Sequence, residues 1–137
     1  MGKKCRSVSE IADKAIIKSY EEQYKIEFPK EMIDFFDENN GGIPLKKEIV
    51  VDGEEYEIRC FLSFNDNEYN SIKKSLETFQ NNTKGKIVPI AKDSGDNYFC
   101  LNVENKKVYY WDHEDNKYYR LAESFNEFIS LIDCKQK

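Results

Sequence analysis

One histidine, four cysteines set far apart and no block of more than two adjacent Lys or Arg residues leave this 137-residue chain short of most catalytic and binding equipment. A zinc protease or deaminase needs HExxH, or histidine beside paired cysteines, and His113 alone supplies neither. Cys5, Cys60, Cys100 and Cys134 form no C-x-x-C pair, so the spacing carries no metal signature. No metal and no other cofactor is expected. Nucleic-acid affinity comes mainly from clustered Lys and Arg, and 21 basic against 26 acidic side chains argue against direct nucleic-acid binding.

Other absences narrow the setting. With 34% charged residues the chain reads as a soluble protein with no membrane span, and no signal peptide stands at its start. Reduced thiols and a cytoplasmic location are the expectation. "MGKKCRS" approaches a myristoylation signal but places Arg6 where Ser or Thr is wanted, and the "NNT" sequon at 81–83 matters only in a secreted protein.

What is present is aromatic: nine Tyr and nine Phe are enough to build one core in a chain of single-domain size, 1–137. Residues 7–24 carry Ala12, Ile16, Tyr20 and Tyr24 four apart, with Ser7 and Glu10 in capping-box spacing, and predict a helix. In "FPKEMIDFFDENNGG", Pro29 suits a first helical turn, Met32, Ile33 and Phe36 share a face, and Asn40, Gly41 and Gly42 stop the helix by accepting positive φ. Asp52-Gly53 divides "EIVVDGEEYEIRCFLSF" into a tight hairpin. Tyr69, Ile72, Leu76 and Phe79 restore a helical stripe, and "NNTKGK" at 81–86 reads as a loop. "KIVPIAK", "NYFCLNV", "KVYYWDH" and "KYYRLA" follow as strands whose short connectors fit an antiparallel meander. Ser124 and Glu127 cap a closing helix with Phe125, Phe128, Ile129 and Ile132 on one face. The fold class is α+β: one antiparallel sheet of about five to six strands, with N-terminal helices, one inserted helix and a C-terminal helix packed on it.

Chemistry concentrates in "DSGDNYFCL" at 93–101 and "WDHE" at 111–114. Ser94, His113 and the aspartates invite a triad, but no G-x-S-x-G elbow is present, and His113 sits where a strand meets its turn. A rim histidine with a structural hydrogen bond is the simpler reading. Asp93 and Asp96, or Asp112, Glu114 and Asp115, offer oxygen ligands without EF-hand spacing. "DSGD" reads more simply as a turn in which Asp caps its backbone and Gly takes positive φ. Tyr109, Tyr110, Trp111, Tyr118 and Tyr119 alternate across two strands, so that some face away from the core. Beside the acids they could anchor a basic protein partner, or simply be core.

These stretches together resemble a known set. "FPKEMIDFFDENNGGIP", "IVPIAKDSGDNYFCLNVENKKVYYWDHE" and "LAESFNEFISLI" are similar, in the same order, to motifs of the SUKH superfamily, across about residues 9–133. That superfamily includes the yeast Smi/Knr cell-wall assembly regulator domain and many bacterial immunity proteins. The resemblance implies a non-enzyme that binds and neutralises a cognate toxin domain, often a nuclease; an adaptor of a cellular complex or a small-ligand module are the alternatives. It implies structural roles for Pro29, Asn40, Gly41, Gly42 and Pro44. Asp96 matches its "GD" pair, and Trp111, Asp112 and His113 match its "W-D-H". The partner surface expected from these matches comprises Asp93, Asp96, Trp111, Asp112, His113, Glu114 and Asp115. Phe28 and Lys92 depart from the pattern near the matched motifs.

Overall fold

The structure is a computed structural model that describes residues 5–6, 14–65, 70–83 and 86–133, with the backbone alone for 78–83 and 133. Helix α1 spans Lys14–Tyr24 and buries Ile17 and Tyr20, while Ile16 and Tyr24 pack partly against the core. Ser7, Glu10 and Ala12 lie outside the described residues. Lys25 ends the helix at φ 55°, a left-handed residue just past the last turn.

Helix α2, Lys30–Asn39, corrects the reading of Pro29 by one position. Pro29 precedes the first turn with extended geometry (φ −59°, ψ 142°), and its carbonyl accepts from the Met32 and Ile33 amides. Met32, Phe35 and Phe36 are buried and Ile33 is half-buried, so the apolar face is wider than the pattern predicts. Of the three expected stop residues, Gly41 takes positive φ (68°), whereas Asn40 stays at φ −58°. Asn40 is instead fully buried: its amide nitrogen donates to Ser63 Oγ at 2.9 Å and its oxygen accepts from the Phe64 amide at 2.9 Å.

Strand β1 (Cys5–Arg6) pairs with β2 (Ile43–Pro44), placing buried Pro44 opposite Cys5. Strands β3 (Glu48–Val51) and β4 (Glu54–Glu57) form the expected hairpin, with Asp52 at φ 52° and Gly53 at φ 82° in its turn. The main sheet is an antiparallel meander of β5 (Cys60–Phe61), β6 (Ile87–Lys92), β7 (Tyr98–Asn102), β8 (Val108–Asp112) and β9 (Lys117–Ala122), in that order. Helix α3, Ile72–Thr83, runs through the "NNT" stretch expected as loop; Ile72 and Leu76 are buried, and the Tyr69 and Phe79 side chains lie outside the described residues. A register shift between Pro89 and Ala91 lets a proline without an N–H sit inside β6.

One face of the sheet carries Phe61, Ala91, Phe99 and Tyr110 as successive cross-strand partners. Phe61 and Phe99 pack on Phe128 of helix α4 (Phe125–Asp133), and Phe61 also meets Phe35 at 4.8 Å between ring centres. Ser124 Oγ accepts from the Glu127 amide at 3.1 Å, as a capping box requires, but Glu127 reaches back to the Glu123 amide rather than to that of Ser124. Across the other face runs the row Cys60, Lys92, Tyr98, Trp111, Tyr118. Helix α3 packs against β6, and its residues line a cleft with Lys92 and Tyr98, leaving the β8–β9 half of that face outward. Among the described residues no helix is long and apolar enough to cross a membrane.

Candidate functional site

In a meander alternate turns fall at the same end, so turn 93–97 between β6 and β7 meets turn 113–116 between β8 and β9. Asn97 ties them: its side-chain oxygen accepts from the His113 amide at 2.9 Å and lies 2.7 Å from His113 Nδ1. Because an amide oxygen only accepts, Nδ1 is the protonated nitrogen when this bond forms. His113 is thus an exposed rim residue with a structural partner.

Asp93 organises the first turn. It accepts from the Gly95 amide (2.8 Å), the Asn97 amide (3.0 Å), Asn97 Nδ2 (3.1 Å) and the Tyr110 hydroxyl (2.7 Å). Partial burial pushes its carboxyl up, but the hydrogen bonds outweigh this and hold it below the usual carboxylate range. Tyr110 moves the other way, raised first by burial and then by the bond to Asp93. The positive φ expected at Gly95 belongs to Asp96 instead, at 68°, a conformation that a short polar side chain tolerates.

The second turn is built likewise. Asp112 Oδ1 accepts from the Glu114 amide at 2.9 Å, Asn116 adopts φ 53°, and Trp111 Nε1 donates to Asn116 Oδ1 at 2.8 Å. Trp111 stacks on Tyr98 with ring centres 6.2 Å apart, and Tyr109 meets Tyr118 edge-on at 6.4 Å. Tyr118 and Tyr119 are 39% and 42% exposed, so this strand presents rings to solvent on both faces. The β3–β4 hairpin also reaches this end: Glu57 accepts from the Ser94 amide (3.2 Å) and hydroxyl (3.1 Å), and Tyr56 packs on Tyr110 at 4.9 Å.

The structure therefore gathers all seven expected partner-surface residues, Asp93, Asp96, Trp111, Asp112, His113, Glu114 and Asp115, at one end of the sheet. It does not assemble a triad, because Ser94 bonds Glu57, His113 bonds Asn97 and Asp93 bonds Tyr110. Among the described residues no group of three His, Cys, Asp or Glu side chains is placed to hold a metal. Glu57, Asp93, Asp96, Asp112, Glu114 and Asp115 make an acidic end, and none forms an ion pair with Lys or Arg among the described residues. Sequence reasoning missed Glu57, Asn97 and Tyr98. Asn97 carried a local signal, standing four residues after Asp93, while Glu57 lies 37 residues from its partner Ser94 and carried none. Asn40 and Pro44 are not part of the two turns: Asn40 closes α2, and Pro44 pairs with Cys5 of β1.

Comparison with known proteins finds a family and a relative. The model of the SMI1 / KNR4 family (SUKH-1) matches residues 11–131. "SPbeta prophage-derived uncharacterized protein YokK" of Bacillus subtilis (strain 168) is 38% identical over 72 residues, covering 49% of this chain and 38% of that protein.

Proposed function

We propose, because the chain belongs to the SMI1 / KNR4 family (SUKH-1), that it is a non-enzymatic immunity protein that binds a cognate toxin domain and blocks it. Members of the family are often immunity proteins. The observation that carries the reading is the acidic end, where five carboxylates at two turns locked together by Asn97, with Glu57 of β4 beside them, form no ion pair with Lys or Arg among the described residues and stand near Trp111 and Tyr118. Aromatic rings anchor interfaces, and fixed acids select a basic partner and speed its approach. A surface already held in shape spends little ordering entropy on binding. If the toxin is a nuclease, its groove is basic to hold phosphates, and this end of the sheet complements it.

The experiment is co-expression with a toxin domain encoded beside the gene. Restored growth, with a co-purifying complex weakened by salt, supports the proposal. Full toxicity and no complex would put an adaptor role ahead.

A further inference from the structure

A second region carries the opposite charge. Arg6, Lys47 and Arg59 line a cleft of about 270 Å³ floored by Gly41, Ile43 and Cys60. Asn70 lines it too and is shared with a second cleft, also about 270 Å³, lined in part by Lys74, Lys92, Asp96 and Tyr98. Asn70 is held there by its contact to Cys60 Sγ (3.7 Å) and by accepting from Lys92 Nζ (3.4 Å). The main chain beneath two of the cations is held by pairing: the Arg59 amide donates to the Lys92 carbonyl at 2.8 Å, and the Lys47 carbonyl accepts from the Ile58 amide at 2.7 Å.

In a chain with net charge −5, three neighbouring cations would ordinarily find carboxylates. Among the described residues Arg6, Lys47 and Arg59 form no ion pair. Among the described residues no carboxylate offsets their mutual repulsion.

We propose that these two clefts together form a docking trough for an extended, acidic segment of a protein partner. Its carboxylates would meet Arg6, Lys47 and Arg59, its apolar side chains would lie on Ile43 and Tyr98, and a basic group at its far end would meet Asp96. The row from Cys60 through Lys92 to Tyr98 crosses three strands, about 10 Å at the usual strand spacing, which suits a segment of roughly three to five residues. A polyphosphate chain fits less well, because Asp96 and the acidic end beyond it repel a continuous run of phosphates. The trough adjoins the acidic end proposed above as the toxin surface and shares Asp96 with it, while Arg6, Lys47 and Arg59 belong to the trough alone, so variants at those cations test it without touching the toxin surface.

The test is fluorescence anisotropy of a labelled octapeptide in which Glu and Val alternate up to two closing Lys residues. Saturable, salt-sensitive binding is expected, weakened about tenfold or more by Lys47→Glu with Arg59→Glu and changed less than about twofold by Glu114→Lys with Asp115→Lys. Circular dichroism verifies folding; should the reversed pair not fold, Lys47→Gln with Arg59→Gln must still weaken binding. No binding by the wild type, equal binding by the cleft variants, or tighter binding of an oligonucleotide of the same length would overturn the proposal.

Discussion

Asn40 and Asn97 each tie distant segments through one amide, the first in the dry core and the second at the wet rim. Asn40 is fully buried and joins the end of α2 to residues 63 and 64, so no water can replace its bonds if it is removed. Asn97 is half-buried, and solvent reaches both turns it joins. The same side chain therefore holds the fold in one place and the shape of a surface in the other. An unmade hydrogen bond costs most where water is excluded.

The strongest way to break this contrast is Asn40→Ala. It strands the Phe64 amide in the core, leaves Ser63 Oγ with the Asn65 amide as its remaining donor, and should cost about 2–4 kcal/mol, lowering Tm by roughly 10 °C in a thermal melt. A loss under about 1 kcal/mol would mean that water enters this junction.

Asp93→Asn comes next. It removes the charge from four hydrogen bonds at the rim and should cost about 1–2 kcal/mol. Because the folded carboxyl titrates below its unfolded range, the stability it contributes is complete above that range and is lost as pH falls through the lower, folded value. Wild type should therefore lose more stability than Asp93→Asn between about pH 5 and pH 2, as read by denaturation at each pH. Tyr110 works in the alkaline direction: its raised folded value makes its contribution complete below the unfolded tyrosine range and lost as pH rises beyond it.

Asn97→Ala should cost only about 1 kcal/mol, since water can take its place, yet it should speed hydrogen exchange at the His113 amide. Unchanged exchange there would show that the two turns stay together without it. The smallest effect on stability belongs to Glu114→Lys with Asp115→Lys, within about 0.5 kcal/mol in the same melts. That pair should nonetheless slow association with a co-encoded toxin and weaken protection in cells, and full protection would exclude the acidic end as the contact.

Much of the architecture was readable because it is written in local pattern. The apolar positions of α2 and α4, the Asp52-Gly53 turn, and the short connectors of the meander each depend on residues a few places apart. His113 was readable as a rim residue for the same reason. What escaped notice depends on partners far along the chain. Asn40 looked like a helix stop because Asn accepts positive φ, and only residues 63 and 64, brought back by β5, convert it into a buried junction. Glu57 and Ser94, or Arg6, Lys47 and Arg59 around one cleft, have no common periodicity to betray them. Of the expected surface, proximity is observed for every residue; a role in binding rests on the experiments above.

The second turn also separates scaffold from message. Glu114 and Asp115 lend only their backbone amides to Asp112, and among the described residues neither side chain holds anything. A lineage pressed by a changing adversary could therefore replace both letters, even reverse their sign, while Asp93, Asn97, Asp112 and Asn116 keep the page flat. If the proposed toxin contact holds, sister proteins should differ most at 114 and 115 and least at the residues that hold those positions in place.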